Sequence, residues 1–146
     1  MEAIGGGIVR TGPPAVHFWH LNRGEYMRVL IIDDDSDFAE LTAECLRVDE
    51  DVAVQTASNG DAALRAAAEF SPDAILLNVE LSDGSGLDLA SDLKALSRGR
   101  ARIIVLSGNV PKYNFGYLPP GVDAWLTKPA YLADIQACIT GMPYFT

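Results

Sequence analysis

Apolar and polar positions change period several times along the chain, and the changes divide it into alternating elements. A short apolar run, Arg28–Ile32, predicts a first strand. Helical spacing follows over about Ser36–Val48, with Phe38, Leu41, Cys45 and Leu46 expected on one inward face. Val52–Thr56 predicts a second strand. Asn59-Gly60 then marks a turn before an alanine-rich helix ending at Phe70, with Ala63, Ala67 and Phe70 expected inward. Asp73–Asn78 predicts the third strand, and Asp83-Gly84 and Ser85-Gly86 mark turns in the loop Glu80–Gly86. Leu89, Leu93 and Leu96 have the spacing of a third helix. Arg102–Leu106 and Asp123–Thr127 predict strands four and five. Between them Pro111–Gly121 holds three prolines and two glycines, so a fourth helix there is short or irregular. A last helix over Tyr131–Thr140 presents Leu132, Ile135 and Ile139.

Strands separated by helix-length connectors imply an α/β fold, a doubly wound five-stranded parallel sheet covered on both faces. Such sheets bind ligands at the carboxyl ends of their strands, beside the point where the strand order reverses. Asp33-Asp34-Asp35 closes strand one, Asn78 closes strand three, Ser107 closes strand four, and Lys128-Pro129 follows strand five. These polar groups are expected to face one crevice.

A length of 146 residues predicts one domain, and 49% hydrophobic with 21% charged residues is an ordinary globular composition. Two cysteines exclude a disulfide scaffold; Cys45 and Cys138 read as buried thiols. No apolar run reaches a membrane span of about 20 residues. The net charge of −9 argues against nucleic acid and suits a partner with a basic face, or bound cations. Residues 1–26 lack a secretory signal and read as a flexible arm outside a domain over 27–146. The arm is a natural extension, a vector-derived remnant or an overlong start. His17 and His20 have no further ligands nearby for a metal, whereas Phe18 and Trp19 are suited to packing on a surface.

The segments VLIIDDD, PDAILLNVELSDGSGLDL, IIVLSG and AWLTKP occur in that order. Together they resemble the receiver domain of two-component response regulators, the CheY-like fold, from Arg28 to about Thr140. The resemblance implies a flavodoxin-like strand order 2-1-3-4-5 and a cytoplasmic signalling module rather than an enzyme. It implies that Asp33 and Asp34 are the acidic pair that holds Mg²⁺, and that Ser107 contacts a phosphoryl group. It implies further that Lys128 pairs with that group, through a Lys-Pro bond often cis in the family, and that Trp125 occupies the aromatic switch position. Asp35 and Ser36 read as a helix N-cap.

Asn78 departs from the family, which has its phosphate-accepting aspartate at this position. The chemistry needs an anionic oxygen to attack phosphorus, and a neutral amide is a far poorer nucleophile. The lost charge also weakens the pull on Mg²⁺, which prefers carboxylate oxygen. The amide is expected to hydrogen-bond Lys128 or Ser107. Glu80, two residues on, faces the site in the family; its backbone or side chain is a candidate weak metal ligand, and a solvated loop charge is the plainer reading. Three accounts of Asn78 stay open: a natural pseudo-receiver, a deliberate Asp→Asn change to an active receiver, or slow deamidation. Ser82 stands where the family usually has Pro, PKYNFGYLPPG replaces helix four, and one residue is missing between Ser107 and Lys128. A point change explains none of these, which favours a natural divergent receiver.

The expected function is therefore a stand-alone receiver in phosphorelay signalling that acts through protein–protein contact. Its partners are a histidine kinase, a phosphotransfer protein or another signalling protein, with no nucleic acid and no membrane. Mg²⁺ is weak or absent. A haloacid-dehalogenase-type phosphatase using Asp33-x-Asp35 is the enzyme alternative, and it lacks a downstream acidic pair. A flavodoxin-like cofactor binder is disfavoured because three aspartates would repel a phosphate.

Overall fold

A computed structural model describes residues 26–81, 84–108 and 118–141. In chain order the elements are β1 (Met27–Ile32), α1 (Ser36–Arg47), β2 (Val52–Ala57), α2 (Gly60–Phe70), β3 (Ala74–Asn78), β4 (Glu80–Leu81), β5 (Gly84–Ser85), α3 (Gly86–Leu96), β6 (Arg102–Ser107), β7 (Ala124–Thr127) and α4 (Leu132–Thr140). Five of the strands form one parallel sheet, ordered β2-β1-β3-β6-β7. Taking only those strands, this is the expected order. β4 and β5 pair antiparallel in a small separate ribbon, where the turn-rich sequence had suggested only a loop. Residues 1–25 of the arm, Ser82, Asp83 and Pro111–Tyr117 lie outside the described residues, so the reading of an irregular fourth helix falls mostly there too.

The central strands β1, β3 and β6 are buried on both sides because each side has its own core, whereas the edge strands β2 and β7 carry exposed positions such as Gln55, Thr56 and Thr127. Val29, Ile31, Leu76 and Ile104 pack with Ala39, Ala43, Leu46, Ile135 and Ile139 beneath α1 and α4. Leu30, Ile32, Ile75, Leu77 and Ile103 pack with Ala63, Ala67, Ala90 and Leu93 beneath α2 and α3. This two-sided burial is why the three central strands read as continuous apolar runs rather than alternating ones.

The helices rest on the sheet through smaller residues than expected. α1 buries Ala39, Thr42, Ala43 and Leu46. Phe38 is only half-buried, and Leu41 is 63% exposed. Cys45 is also exposed, which corrects its reading as a buried thiol; Cys138 is buried. In α3 the inward set is Gly86, Ala90 and Leu93, with Leu89 half-buried and Leu96 exposed. Leu132 is exposed in α4, and Phe70 is half-buried at the end of α2. Alanine and glycine let a helix backbone approach the sheet closely, so the bulkier residues flank the contact line.

Local chemistry sets the element ends. Asp35 accepts the Phe38 N–H at 3.1 Å and Asn59 accepts the Ala62 N–H at 2.8 Å, each capping a helix N-terminus. At the sheet end where β1 begins, buried Asp73 accepts the Arg28 N–H at 2.9 Å and Arg100 Nη1 at 2.6 Å. At the other end Gly86 opens α3 hard against β3: a Cβ there would collide with the Asn78 carbonyl. No helix among the described residues is long and apolar enough to cross a membrane.

Two outcomes follow from this packing. Gly86→Ala should lower stability by about 1–3 kcal/mol, since backbone must move to admit the methyl group; an unchanged denaturation midpoint would refute the contact. Cys45 should react rapidly with a thiol reagent in the folded protein. Cys138 should react only on unfolding, because burial pushes its thiol pKa up, an effect Arg102 partly offsets. Equal rates for the two thiols would contradict the burial assigned here.

Candidate functional site

The crossovers from β1 and β3 carry the chain to opposite sides of the pair, so a crevice opens between the carboxyl ends of these neighbours. Asp33 follows β1 directly and extends the ladder by donating its N–H to Ala57 O at 3.0 Å. The residue is 3% exposed. Asn78 ends β3 and is 8% exposed, paired in register with Leu106 of β6. Ser107, the next residue of β6, is buried and accepts the Lys128 N–H on its backbone oxygen at 2.7 Å. That bond fixes where the lysine leaves β7. The Lys128-Pro129 peptide bond is cis.

The polar contacts centre on two groups. Asp33 Oδ1 accepts the Asp35 N–H at 2.9 Å and Asn78 Nδ2 at 3.2 Å, while Asp33 Oδ2 pairs with Lys128 Nζ at 3.3 Å. A buried carboxylate is tolerated only when paired and hydrogen-bonded, and this one is both. Asn78 Nδ2 in turn points at three oxygens: Asp33 Oδ1 at 3.2 Å, Asp34 Oδ1 at 3.4 Å and the Glu80 carbonyl at 2.7 Å. The amide therefore bonds to the acidic side of the pocket. The expected bond to Lys128 or Ser107 is corrected, because two carboxylates and a carbonyl attract N–H more strongly than the lysine attracts the amide oxygen, and Lys128 is held by Asp33 instead.

The three oxygens around Asn78 Nδ2 are the hard donors that a divalent cation takes. Turning the amide over would present its oxygen as a fourth. The donor set thus fits Mg²⁺ in kind, with Asp33, Asp34, Asn78 and the Glu80 carbonyl as ligands. Binding must displace an N–H group already seated among them. Glu80 brings its backbone to the pocket, while the residue itself is exposed. Asp35 is exposed and engaged as the helix cap, which removes it from the role of acid in the phosphatase alternative.

A family model described as the response regulator receiver domain matches residues 29–140. The chain belongs to the response regulator receiver domain family.

The receiver is 36% identical over 116 residues to the transcriptional regulatory protein KdpE of Mycobacterium tuberculosis, covering 76% of this chain and 50% of that protein. It is 30% identical over 112 residues to the probable transcriptional regulatory protein TcrX of the same organism, covering 77% of this chain and 47% of that protein. The receiver thus spans about half the length of these relatives. Among solved structures it is similar to a response regulator from Burkholderia pseudomallei with a phosphorylated aspartic acid, calcium ion and citrate. That match has a TM-score of 0.64 and 32% identity, covering 77% of this chain and 65% of that one. A CheY-like receiver from Methanospirillum hungatei aligns with a TM-score of 0.68 and 26% identity, covering 76% of this chain and 88% of that one.

Two features of the receiver's site were not foreseen from sequence. Lys128 Nζ lies 4.3 Å from the centroid of the Phe38 ring, so Phe38 supports the lysine by a cation–π contact. The available signal was an aromatic in the first turn after the acidic run. Trp125 is half-buried against the α2/α3 core, and its indole N–H is buried without a hydrogen-bond partner among the described residues. Such an orphan costs about 1–3 kcal/mol.

Replacing the amide by a carboxylate tests this geometry. Asn78→Asp should melt lower than the unsubstituted chain at neutral pH with chelator present. It exchanges a donor for a like charge beside Asp33 and Asp34, an interaction of about 4 kcal/mol before screening at 4 Å and an effective dielectric near 20. Equal or higher melting would refute the role given to Nδ2.

Proposed function

We propose that this chain is a pseudo-receiver: a two-component signalling module that works through protein contact and forms no phospho-aspartate at position 78. One observation carries the reading. The group at the end of β3 is an amide whose N–H is engaged by Asp33, Asp34 and the Glu80 carbonyl. The position lacks an anionic nucleophile, and the nook where a divalent cation would draw in a phosphoryl donor already holds protein protons.

Mg²⁺ binding on this reading is weak. Asp33 and Asp34 remain, but one carboxylate charge is gone and the amide must turn before oxygen replaces N–H. The solved Burkholderia neighbour carries a calcium ion together with its phosphorylated aspartate. Here the same kind of site is held closed from within by Lys128 and Asn78.

A pocket in one fixed arrangement presents one fixed outer surface. We assign the partner face to Trp125, α4 and the segment Pro111–Tyr117, and the partner to a histidine kinase, a phosphotransfer protein or another signalling protein of the cytoplasm. The excess of acid over base favours a partner with a basic docking face and disfavours nucleic acid. Residues 1–26 are an arm outside the receiver domain.

The deciding measurement is an intact-mass spectrum after exposure to acetyl phosphate and Mg²⁺. The unsubstituted chain should gain no phosphoryl group, and Asn78→Asp should gain one, since Lys128, Ser107 and the acidic pair are all retained. A phosphoryl group mapped to undeamidated Asn78 would overturn the proposal. In a companion titration Asn78→Asp should bind Mg²⁺ more tightly than the unsubstituted chain; equal affinities would remove the charge explanation.

A further inference from the structure

On the side of the sheet away from α1 and α4, an open, mostly apolar groove of about 620 Å³ lies between α2 and α3, lined by Leu64, Arg65, Ala68, Asp92, Ala95 and Leu96. The alanines at 68 and 95 leave the room. Leu96 is half-exposed beside them and continues the leucine pattern of its helix. Arg65 and Asp92 are the charged members of the lining, a cation that can stack on an aromatic face and an anion that can accept an indole or imidazole N–H.

We propose that this groove is the seat of the chain's own N-terminal segment, with Phe18 and Trp19 inserted between α2 and α3. The first support is position. Ala68 lies in the last turn of α2, and Ala95 and Leu96 end α3. The chain leaving α2 is tied to the start of β1 by the bond from Arg28 N to Asp73, and the chain leaving α3 is tied there by Arg100 on the same carboxylate. The groove therefore opens at the end of the sheet where residues 1–26 join the body.

Reach is the second support. Residues 19–26 can extend about 26 Å, more than the length of β1, so Trp19 can return along the helices from Met27. The third is chemistry. The arm holds two adjacent aromatics, flanked by His17 and His20, in a stretch otherwise rich in glycine and proline. Its charged residues balance, Arg10 and Arg23 against Glu2 and Glu25, so the net charge of −9 resides in the body. A second copy approaching this groove brings a like-charged body with it and is repelled; the neutral arm is not. Tethering supplies the remaining advantage, because an attached segment binds at a high effective concentration.

Trp19 reports directly on the seat once Trp125 is replaced by Phe. In the full chain carrying Trp125→Phe, Trp19 emission should be blue-shifted, and acrylamide should quench it several-fold less than in a free peptide of residues 12–25. Adding Ala68→Glu should raise quenching to the peptide's value, and Arg65→Glu should raise it part of the way. Both sites are exposed, and circular dichroism melts verify that each variant is folded. Quenching of the full chain equal to the peptide's would overturn the proposal, as would protection that survives both groove substitutions. Protection that grows with protein concentration would assign the groove to a second copy and also overturn it.

Discussion

A carboxylate sunk at the end of β1 governs the rest of the site. Asp33 is nearly inaccessible, and a buried charge of this kind survives only if other groups come to it. They come from three parts of the chain: the Asp35 N–H at the start of α1, the amide of Asn78 at the end of β3, and the ammonium of Lys128 beyond β7. The last contact spans 95 positions in sequence and crosses the top of the sheet. Lys128 can make it because Ser107 O fixes its backbone and Phe38 supports its ammonium from below the helix cap.

The opposite end of the sheet offers a comparison. Asp73 is also buried, and each of its oxygens is engaged, Oδ2 by the Arg28 N–H and Oδ1 by Arg100. Nothing about it calls for a ligand; it fastens the base of β1 to the chain leaving α3. In the reading proposed here, Asn78 brings the top of the sheet toward the same condition. A receiver with a carboxylate at that position leaves clustered like charges to be relieved by a cation. An amide there relieves them from within, so the pocket becomes a fastening.

Much of this was legible in the sequence, and the reasons differ by element. The central strands β1, β3 and β6 were legible because they are buried on both faces and so form nearly unbroken apolar runs, and the edge strands β2 and β7 because apolar residues still dominate them. Asp33, Asp34, Asn78 and Lys128 were placed together because strand ends converge in a parallel sheet. Helix faces were harder. Phe38, Leu41 and Cys45 looked like the inward stripe of α1, but packing chose Ala39 and Ala43, whose small side chains admit the sheet. Hydrophobicity ranks the large residues first, whereas close approach rewards the small ones. The β4/β5 ribbon was hidden by its brevity among turn signals. The direction of the Asn78 amide was not legible at all, since it depends on which of several nearby groups competes best for an N–H.

Trp125 shows what that amide direction does to the outer surface. Its strand is held at the end by Lys128, through the backbone bond to Ser107 and the side-chain pair with Asp33. A switch at Trp125 requires two pocket states that differ in how they hold this strand, and a ligand that binds one of them better. On the proposed pseudo-receiver reading, with Asn78 and Lys128 both engaged by Asp33, the pocket supplies the same grip whether or not a donor is present. The unpaired indole N–H then has a different meaning from that of a spring awaiting release. It is a standing cost at the edge of the proposed partner face. The N–H is buried, so a partner that offers it an acceptor must first repack the indole.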